Sequence, residues 1–386
     1  MNIDRVSVYS LEAELEKPFG WSQRWTRSRG MTVVRITASD GTSGWGECGS
    51  GTASRAAIES LAPLIIGEDA LARERVWQTL FNASYQGHGF AGANLSAVSA
   101  LDMALWDLAG RAANRPVSDL LGGGLRDSIA VYATGLYYGE GDFPDALINE
   151  AVGYAERGFS GMKMKVAGKP LSEDVERVFA VRQAIGRDLH LMVDANEGYN
   201  AATAIEFARR VADADLSWFE EPCASYDDSA NLQVNAEAAM PISGGEGLRT
   251  RHEFADRLAR RVFDIIQPDV VNVGGISELA VVGKMANAFG VLMNPHFWGT
   301  GISFAASLHV AACQPPTPHS VVSEPYVNEL VLEFDQTPHP VRRDLTPGFP
   351  VVDSRVTVPT GPGLGVEVDE AALKRYAVGR PAIVKG

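Results

Sequence analysis

Three apolar runs in the middle of the sequence each stop at a carboxylate: Leu191-Met192-Val193-Asp194, Trp218-Phe219-Glu220 and Pro241-Ile242-Ser243-Gly244-Gly245-Glu246. Asp194, Glu220 and Glu246 follow one another at steps of 26 residues, close to one strand plus one helix and its loops. A single acid at such a position is ordinarily a helix cap or a surface charge. Three at equal steps on successive strand ends suit a divalent cation that takes oxygen ligands, with magnesium the expected cofactor. Asn196 and Glu221 stand beside them, able to orient ligands or bond to neighbouring cations.

Gly161-Met162-Lys163-Met164-Lys165-Val166 precedes the first acid by one unit. A strand has period two, so Lys163 and Lys165 share one face and the methionines share the other. With the methionines toward surrounding helices, both ammoniums project inward. Two close ammoniums are expected to depress each other's proton affinity, which makes one a base near neutral pH. The competing reading is an exposed edge strand with solvated lysines.

Ile265-Ile266-Gln267-Pro268-Asp269 and Met293-Asn294-Pro295-His296 end two later runs. As neighbours at one mouth, Asp269 would orient the His296 imidazole and raise its pKa. A last run, Val321-Val322-Ser323, delivers Glu324. His190, His252, His309, His319 and His339 have no such expected partner and read as structural.

These residues need a scaffold that brings strand ends together. Expected strands are Ile129 to Thr134, Gly161 to Val166, His190 to Asp194, Leu216 to Glu220, Pro241 to Gly245, Val262 to Gln267, Val291 to Asn294 and Ser320 to Ser323, separated by helix-length segments. Eight such strands predict an α/β barrel over residues 126–350 rather than an open sheet, and no dinucleotide GxGxxG opens the first unit. Residues 1–125 read instead as an α+β domain. Thr32 to Thr37, a turn at Ser39 to Thr42 and Trp45 to Glu47 form a hairpin, and in the helix that follows Ala97, Leu101, Ala104, Leu105 and Leu108 share one face. The turn-rich tail, 351–386, is expected to return to that domain. Pro18 to Trp25 reads as a loop carrying Trp21 and Trp25, and Gly87-His88-Gly89 as another. Together with Asn196 and Trp298 these supply candidate substrate contacts: Trp21, Trp25, His88, Asn196 and Trp298.

The formal net charge of −14 opposes a role on nucleic acid or an anionic membrane, both of which call for clustered Lys and Arg. Cys48, Cys223 and Cys313 form no metal-type spacing and read as buried free thiols in a reducing cytoplasm. No signal core and no long uncharged apolar stretch is found, so the expected location is cytoplasmic.

In order and type, this residue set resembles the enolase superfamily, and within it the mandelate racemase subgroup with its acid-sugar cycloisomerases and dehydratases. Further stretches carry the likeness: Gly44-Trp45-Gly46-Glu47-Cys48, Pro295 to Gly301, Glu333-Phe334-Asp335 and Gly361 to Gly365. The muconate-lactonizing subgroup would place a lysine near the end of the sixth strand, and Val262 to Gly275 contains none. The resemblance implies a modified (β/α)7β TIM-type barrel with a capping domain. It implies Mg²⁺ held by Asp194, Glu220 and Glu246, with Lys165 and His296 as opposing acid/base groups. Lys163 would be the neighbour of Lys165, Asp269 the partner of His296, and Glu324 a hydrogen-bonding partner of the enolate oxygen. It also implies a homo-oligomer, dimer or octamer.

The expected reaction is removal of the proton α to a carboxylate of an acid sugar or its lactone, followed by loss of a β oxygen substituent. A racemase or epimerase would use the same two faces and return the proton. A metal hydrolase would want an HxH pair on the first strand, where Val131-Tyr132-Ala133-Thr134 has none. A non-catalytic sugar-acid-binding protein would have little use for so many acid/base groups.

Overall fold

Alternating side chains in the first fifty residues build a three-stranded antiparallel meander: β1 (Ile3–Trp21), β2 (Arg24–Ala38) and β3 (Ser43–Gly49). The computed structural model describes residues 1–86, 92–139 and 143–386. The β2–β3 turn falls at the expected place, with Val33 opposite Glu47 and Arg35 opposite Trp45. Between Glu14 and Phe19 the β1–β2 register slips, around Pro18, which has no N–H for the ladder. Pairing then resumes to Trp21 opposite Arg24, so most of Pro18 to Trp25, expected as a loop, is the tip of a hairpin. Four helices follow: α1 (Thr52–Leu61), α2 (Arg73–Gln86), α3 (Ala93–Ala113) and α4 (Val117–Leu120).

Strands and helices then alternate: β4 (Ser128–Thr134), α5 (Asp145–Glu156), β5 (Gly161–Lys165), α6 (Leu171–Ile185), β6 (His190–Asp194), α7 (Ala201–Arg210), β7 (Leu216–Glu220) and α8 (Asp228–Glu237). The series continues through β8 (Ile242–Gly244), α9 (Thr250–Arg260), β9 (Ile265–Ile266), α10 (Gly275–Phe289), β10 (Leu292–Met293), α11 (Gly301–Ala312) and β11 (Val331–Asp335). The parallel sheet runs β10-β9-β8-β7-β6-β5-β4-β11. Its two ends are tied by Val331 N donating to Asn294 Oδ1 (3.0 Å) and Glu333 N donating to Pro295 O (3.3 Å), which closes a (β/α)7β barrel.

The closing strand is not where the sequence reading put it. Val321 and Val322 are exposed, in a segment whose prolines at 315, 316, 318 and 325 remove ladder donors, and Tyr326 stacks on His190 at the start of β6 (3.8 Å between centroids). The strand forms instead from Val331-Leu332-Glu333-Phe334-Asp335, paired to β4 from Ala130 to Thr134.

Inside the barrel Ala130, Tyr132, Met192, Trp218, Ile265 and Val331 form a closed apolar layer. Met162 and Met164 face outward into the helix-covered core, so Lys163 and Lys165 point inward, above that layer.

Helix α3 is buried along nearly its whole length from Leu95 to Gly110, not along one face as its pattern predicts. One side lies so close on β3 that a Cβ at Gly44 would meet Ala104 O at 2.2 Å, and one at Gly46 would meet Ala100 O at 2.0 Å. The other side packs on α10, where Ser277 Oγ donates to Asp102 Oδ1 (2.6 Å) and Trp106 Nε1 donates to Ser277 Oγ (2.9 Å). Burial between these layers pushes the Asp102 carboxyl up to about 7.

The tail contains α12 (Pro340–Leu345), β12 (Arg355–Thr357), α13 (Glu370–Tyr376) and β13 (Ala382–Lys385). β13 pairs with β1, as a returning tail should, but β12 pairs antiparallel with β4 of the barrel sheet. Between them Leu364 is held on both sides, its N donating to Asp107 Oδ1 of α3 (2.8 Å) and its carbonyl meeting His309 Nε2 of α11 (3.1 Å). Among the described residues no helix is long and apolar enough to cross a membrane. The three cysteines are free, Cys48 and Cys223 buried and Cys313 partly so.

Candidate active site

The parallel register carries the two lysines of β5 directly to the acids: Lys165 pairs with Asp194 of β6, and Asp194 with Glu220 of β7. Lys163 is fully buried. It bonds Glu220 Oε1, lies 3.1 Å from Glu333 Oε1 and 3.7 Å from Asp194 Oδ2, and sits 5.7 Å from the centre of the Tyr132 ring. Lys165 bonds Asp194 Oδ2 and approaches the Tyr137 ring to 5.2 Å.

This arrangement outweighs the expected effect of one lysine on the other. Burial alone would lower both ammoniums, but the carboxylates outweigh burial and hold both above the ordinary lysine value. Lys163 does lower the proton affinity of Lys165, as a weaker effect. In this state both lysines keep their protons.

Asp194 is pushed down to about 2: burial would raise it, and the two lysines overcome that. Its Oδ1 accepts Asn196 N (2.8 Å) and its Oδ2 accepts Asn196 Nδ2 (3.2 Å). Glu220 is pushed upward by burial, with Lys163 opposing and Asp194 and Glu333 adding to the rise. Three donors address it, Lys163 Nζ, Trp218 Nε1 (3.2 Å) and Gln267 Nε2, so it serves as an acceptor.

Glu221 is buried, and burial with Glu246 and Asp194 nearby pushes its carboxyl well above the usual range; its Oε1 has no donor. Glu246 Oε2 is 3.1 Å from His296 Nε2 without hydrogen-bond alignment, and it too lacks a donor. No three described His, Cys, Asp or Glu side chains are gathered around one point as a finished cation cage, because Asp194 and Glu220 lean onto the lysines. The donor set fits a hard divalent cation all the same. It is all oxygen, it lies at the ends of β6, β7 and β8, and it includes buried oxygens without a donor at Glu221 and Glu246.

Beyond β9 and β10, His296 Nδ1 and Asp269 Oδ2 are 2.7 Å apart, and Asp269 Oδ1 accepts Val271 N (2.8 Å). Burial would lower the imidazole, but Glu246, Glu333 and Asp269 together hold it well above the ordinary histidine value.

Glu324 does not join this cluster. It lies in the exposed segment before β11, and Glu333 stands at the mouth instead, 3.7 Å from His296 Nε2, with Oε2 accepting Phe297 N (3.1 Å). The signal for Glu333 was present in Leu330-Val331-Leu332-Glu333, an apolar run stopping at an acid like the other three. Tyr137 and Gln267 were also missed, each lying just past the end of a strand.

Trp21, Tyr137, Lys165, Asn196, Glu246, His296 and Trp298 line a cavity of about 80 Å³. The hairpin tip covers it: Ser22 Oγ donates to Val166 O and Gln23 Nε2 to Asn196 O, both at 2.5 Å. An adjoining space of about 260 Å³ shares Glu246, His296 and Trp298 and reaches out to Arg24, Thr26 and Ser28. The indole nitrogens of Trp21 and Trp298 are buried without acceptors. Trp25 is 42% exposed and lines neither space. His88 lies outside the described residues.

Residues 5–122 match the family described as mandelate racemase / muconate lactonizing enzyme, N-terminal domain, and residues 146–372 match the enolase C-terminal domain-like family. The chain belongs to the enolase superfamily. It is 38% identical to the D-galactarolactone cycloisomerase of Agrobacterium fabrum over 99% of this chain and 100% of that protein. The crystal structure of the 3,6-anhydro-D-galactonate cycloisomerase from Zobellia galactanivorans superposes with a TM-score of 0.88 at 33% identity, covering 98% of this chain and 100% of that one. The L-talarate/galactarate dehydratase of Salmonella typhimurium LT2, liganded with Mg and L-lyxarohydroxamate, gives a TM-score of 0.87 at 28% identity over 100% of this chain and 93% of that one. This enolase-superfamily chain is thus an enzyme of the lyase and isomerase kind, with acid-sugar cycloisomerases and dehydratases among its relatives.

Proposed function

We propose that this enzyme removes the proton α to a carboxylate of an acid sugar or its lactone and then expels a β oxygen substituent, as water or as a ring oxygen. The observation that carries the reading is the cavity bordered by both Lys165 and His296 beside the Asp194, Glu220 and Glu246 carboxylates. Asp194, Glu220 and Glu246 would hold magnesium, which would supply Lewis-acid stabilisation of the second negative charge that builds on the substrate carboxylate.

The chain's own groups do the rest. Lys163, buried and cationic, adds fixed positive charge where the anion develops. Lys165 becomes a base only when Asp194 releases its ammonium, since Asp194 is the carboxylate that holds its proton. His296, kept charged by Asp269, Glu246 and Glu333, enters as the acid for the leaving oxygen, and the roles exchange for a substrate of the opposite configuration. Trp21, Asn196 and Trp298 wall the cavity against water, and the free indole N–H groups are available to substrate oxygens.

A panel of acid sugars and lactones, followed by NMR in D2O with magnesium, tests the reading. A keto acid or rearranged lactone supports it. Deuterium in recovered substrate with no elimination would replace it with racemisation, and binding without exchange or turnover would make this a binding protein. Glu220→Gln should abolish magnesium-dependent turnover in a folded protein; undiminished activity would sink the metal assignment. Lys165→Ala and His296→Ala should each stop α-proton exchange for one epimer, and unchanged exchange in both would remove the two-base scheme.

A further inference from the structure

His296 begins a short loop, His296 to Thr300, that leads into α11, and four groups from distant parts of the chain grip it. Asp269 takes His296 and Glu333 takes Phe297 N; both come from the barrel. The other two come from the N-terminal sheet. Glu47 of β3 accepts Thr300 N (2.8 Å) and Ser303 N (3.1 Å), capping α11. Arg29 of β2 holds Trp298 in two ways: its guanidinium lies 3.8 Å from the indole ring centre, and its Nη2 donates to the Trp298 carbonyl (3.1 Å).

Arg29 is 4% exposed and is itself fixed at the end of β11, donating to Asp335 Oδ2 (3.1 Å) and Thr337 Oγ1 (2.6 Å). Asp335 has a second cation, Arg342 Nη1 at 2.9 Å. The planar guanidinium can therefore be neither displaced along the barrel rim nor rotated off the indole without breaking a buried ion pair. Lys165, on β5, is bonded to Asp194 instead and shares a cavity wall with Trp298.

We infer that Arg29 is a positioning residue: by fixing Trp298 it sets the His296 side of the acid/base pair, whereas the Lys165 side is held from the hairpin tip, where Ser22 bonds Val166 O. The kinetic part of this inference rests on the two-base reading above. A loop displaced by about 1 Å costs roughly 100-fold in a positioned reaction.

The test uses the full-length protein with Arg29→Met and Arg29→Lys. Alpha-proton exchange of the epimer that depends on His296 should fall by about 10- to 100-fold in Arg29→Met and less in Arg29→Lys, while exchange of the Lys165-dependent epimer falls distinctly less. Equal losses on both faces would overturn the inference. A second readout needs no turnover: hydrogen–deuterium exchange of the amides from Phe297 to Ser303 should accelerate in Arg29→Met, and unchanged protection there would overturn it whatever the activity. Arg29→Met leaves Asp335 its second cation, Arg342, so no buried carboxylate is stranded and a loosened loop reports the lost indole and carbonyl contacts. Absence of exchange on any acid sugar in the wild type would instead remove the functional reading, leaving the amide result to decide the clamp.

Discussion

Neutralising Glu333 should damage the reaction far more than it damages the fold. In Glu333→Gln the Lys163 ammonium keeps Glu220 as its bonded partner with Asp194 at 3.7 Å, so no unpaired buried charge is created. The fold then loses one charge-assisted hydrogen bond, worth about 1.5–3 kcal/mol. The amide can still accept from Phe297 N, which keeps the loop in place. What disappears is a negative charge 3.1 Å from Lys163 and 3.7 Å from His296, one of the charges that keep both protonated. Removing one preorganised electrostatic group at the reacting centre costs roughly 100- to 1,000-fold in kcat. Glu324→Gln is the matched control, since that side chain is exposed and a surface change of this kind stays within about 0.5 kcal/mol. The assay is kcat on the substrate found by the panel, with thermal unfolding of both variants alongside. Full activity in Glu333→Gln, or an equal loss in Glu324→Gln, would refute the placement of Glu333 in the reaction.

Two further outcomes concern the frame. His309 accepts Ser118 N at Nδ1 (3.3 Å) and meets Leu364 O through Nε2 (3.1 Å), so a second ring proton would face a donor. Burial accordingly lowers its pKa from 6.5 to about 4. The fold takes only the neutral ring and the unfolded chain protonates first, so stability from this group is full above pH 6.5 and declines as pH falls toward 4, by about 3 kcal/mol in all. Thermal unfolding from pH 7.5 to 4.5 should show a shallower fall in His309→Gln than in the wild type; parallel curves would remove His309 as the cause. Gly46→Ala would set a methyl 2.0 Å from Ala100 O, backbone against strand, and should cost more than about 2 kcal/mol in chemical denaturation; a neutral result would mean that α3 shifts freely over the sheet.

Local pattern carried much of the architecture. Strands β6 and β7 have the bounds their apolar runs suggested, and the alternation in Gly161 to Lys165 correctly turned both lysines inward. Helix α3 was found but its surroundings were not, because a helix that is apolar on one face and alanine-rich on the others gives no sign of being packed between two layers.

What the sequence determined by itself was the identity and order of acids and bases at the ends of most barrel strands. Strand period and the repeat of the βα unit are short-range properties, legible without any long-range contact. Which acid closes the ring was a tertiary decision. Val321-Val322-Ser323-Glu324 and Val331-Leu332-Glu333 are both apolar runs ending in an acid, and the choice fell to the one free to pair with β4 and to donate to Asn294 Oδ1 and Pro295 O, away from the prolines. The charge state of the lysines was decided in the same way, because it depends on which carboxylates come within bonding distance rather than on the neighbouring lysine. So was the role of Arg29, separated by hundreds of residues from the tryptophan and aspartate it joins, a contact that exists only because the N-terminal hairpin folds over the barrel mouth.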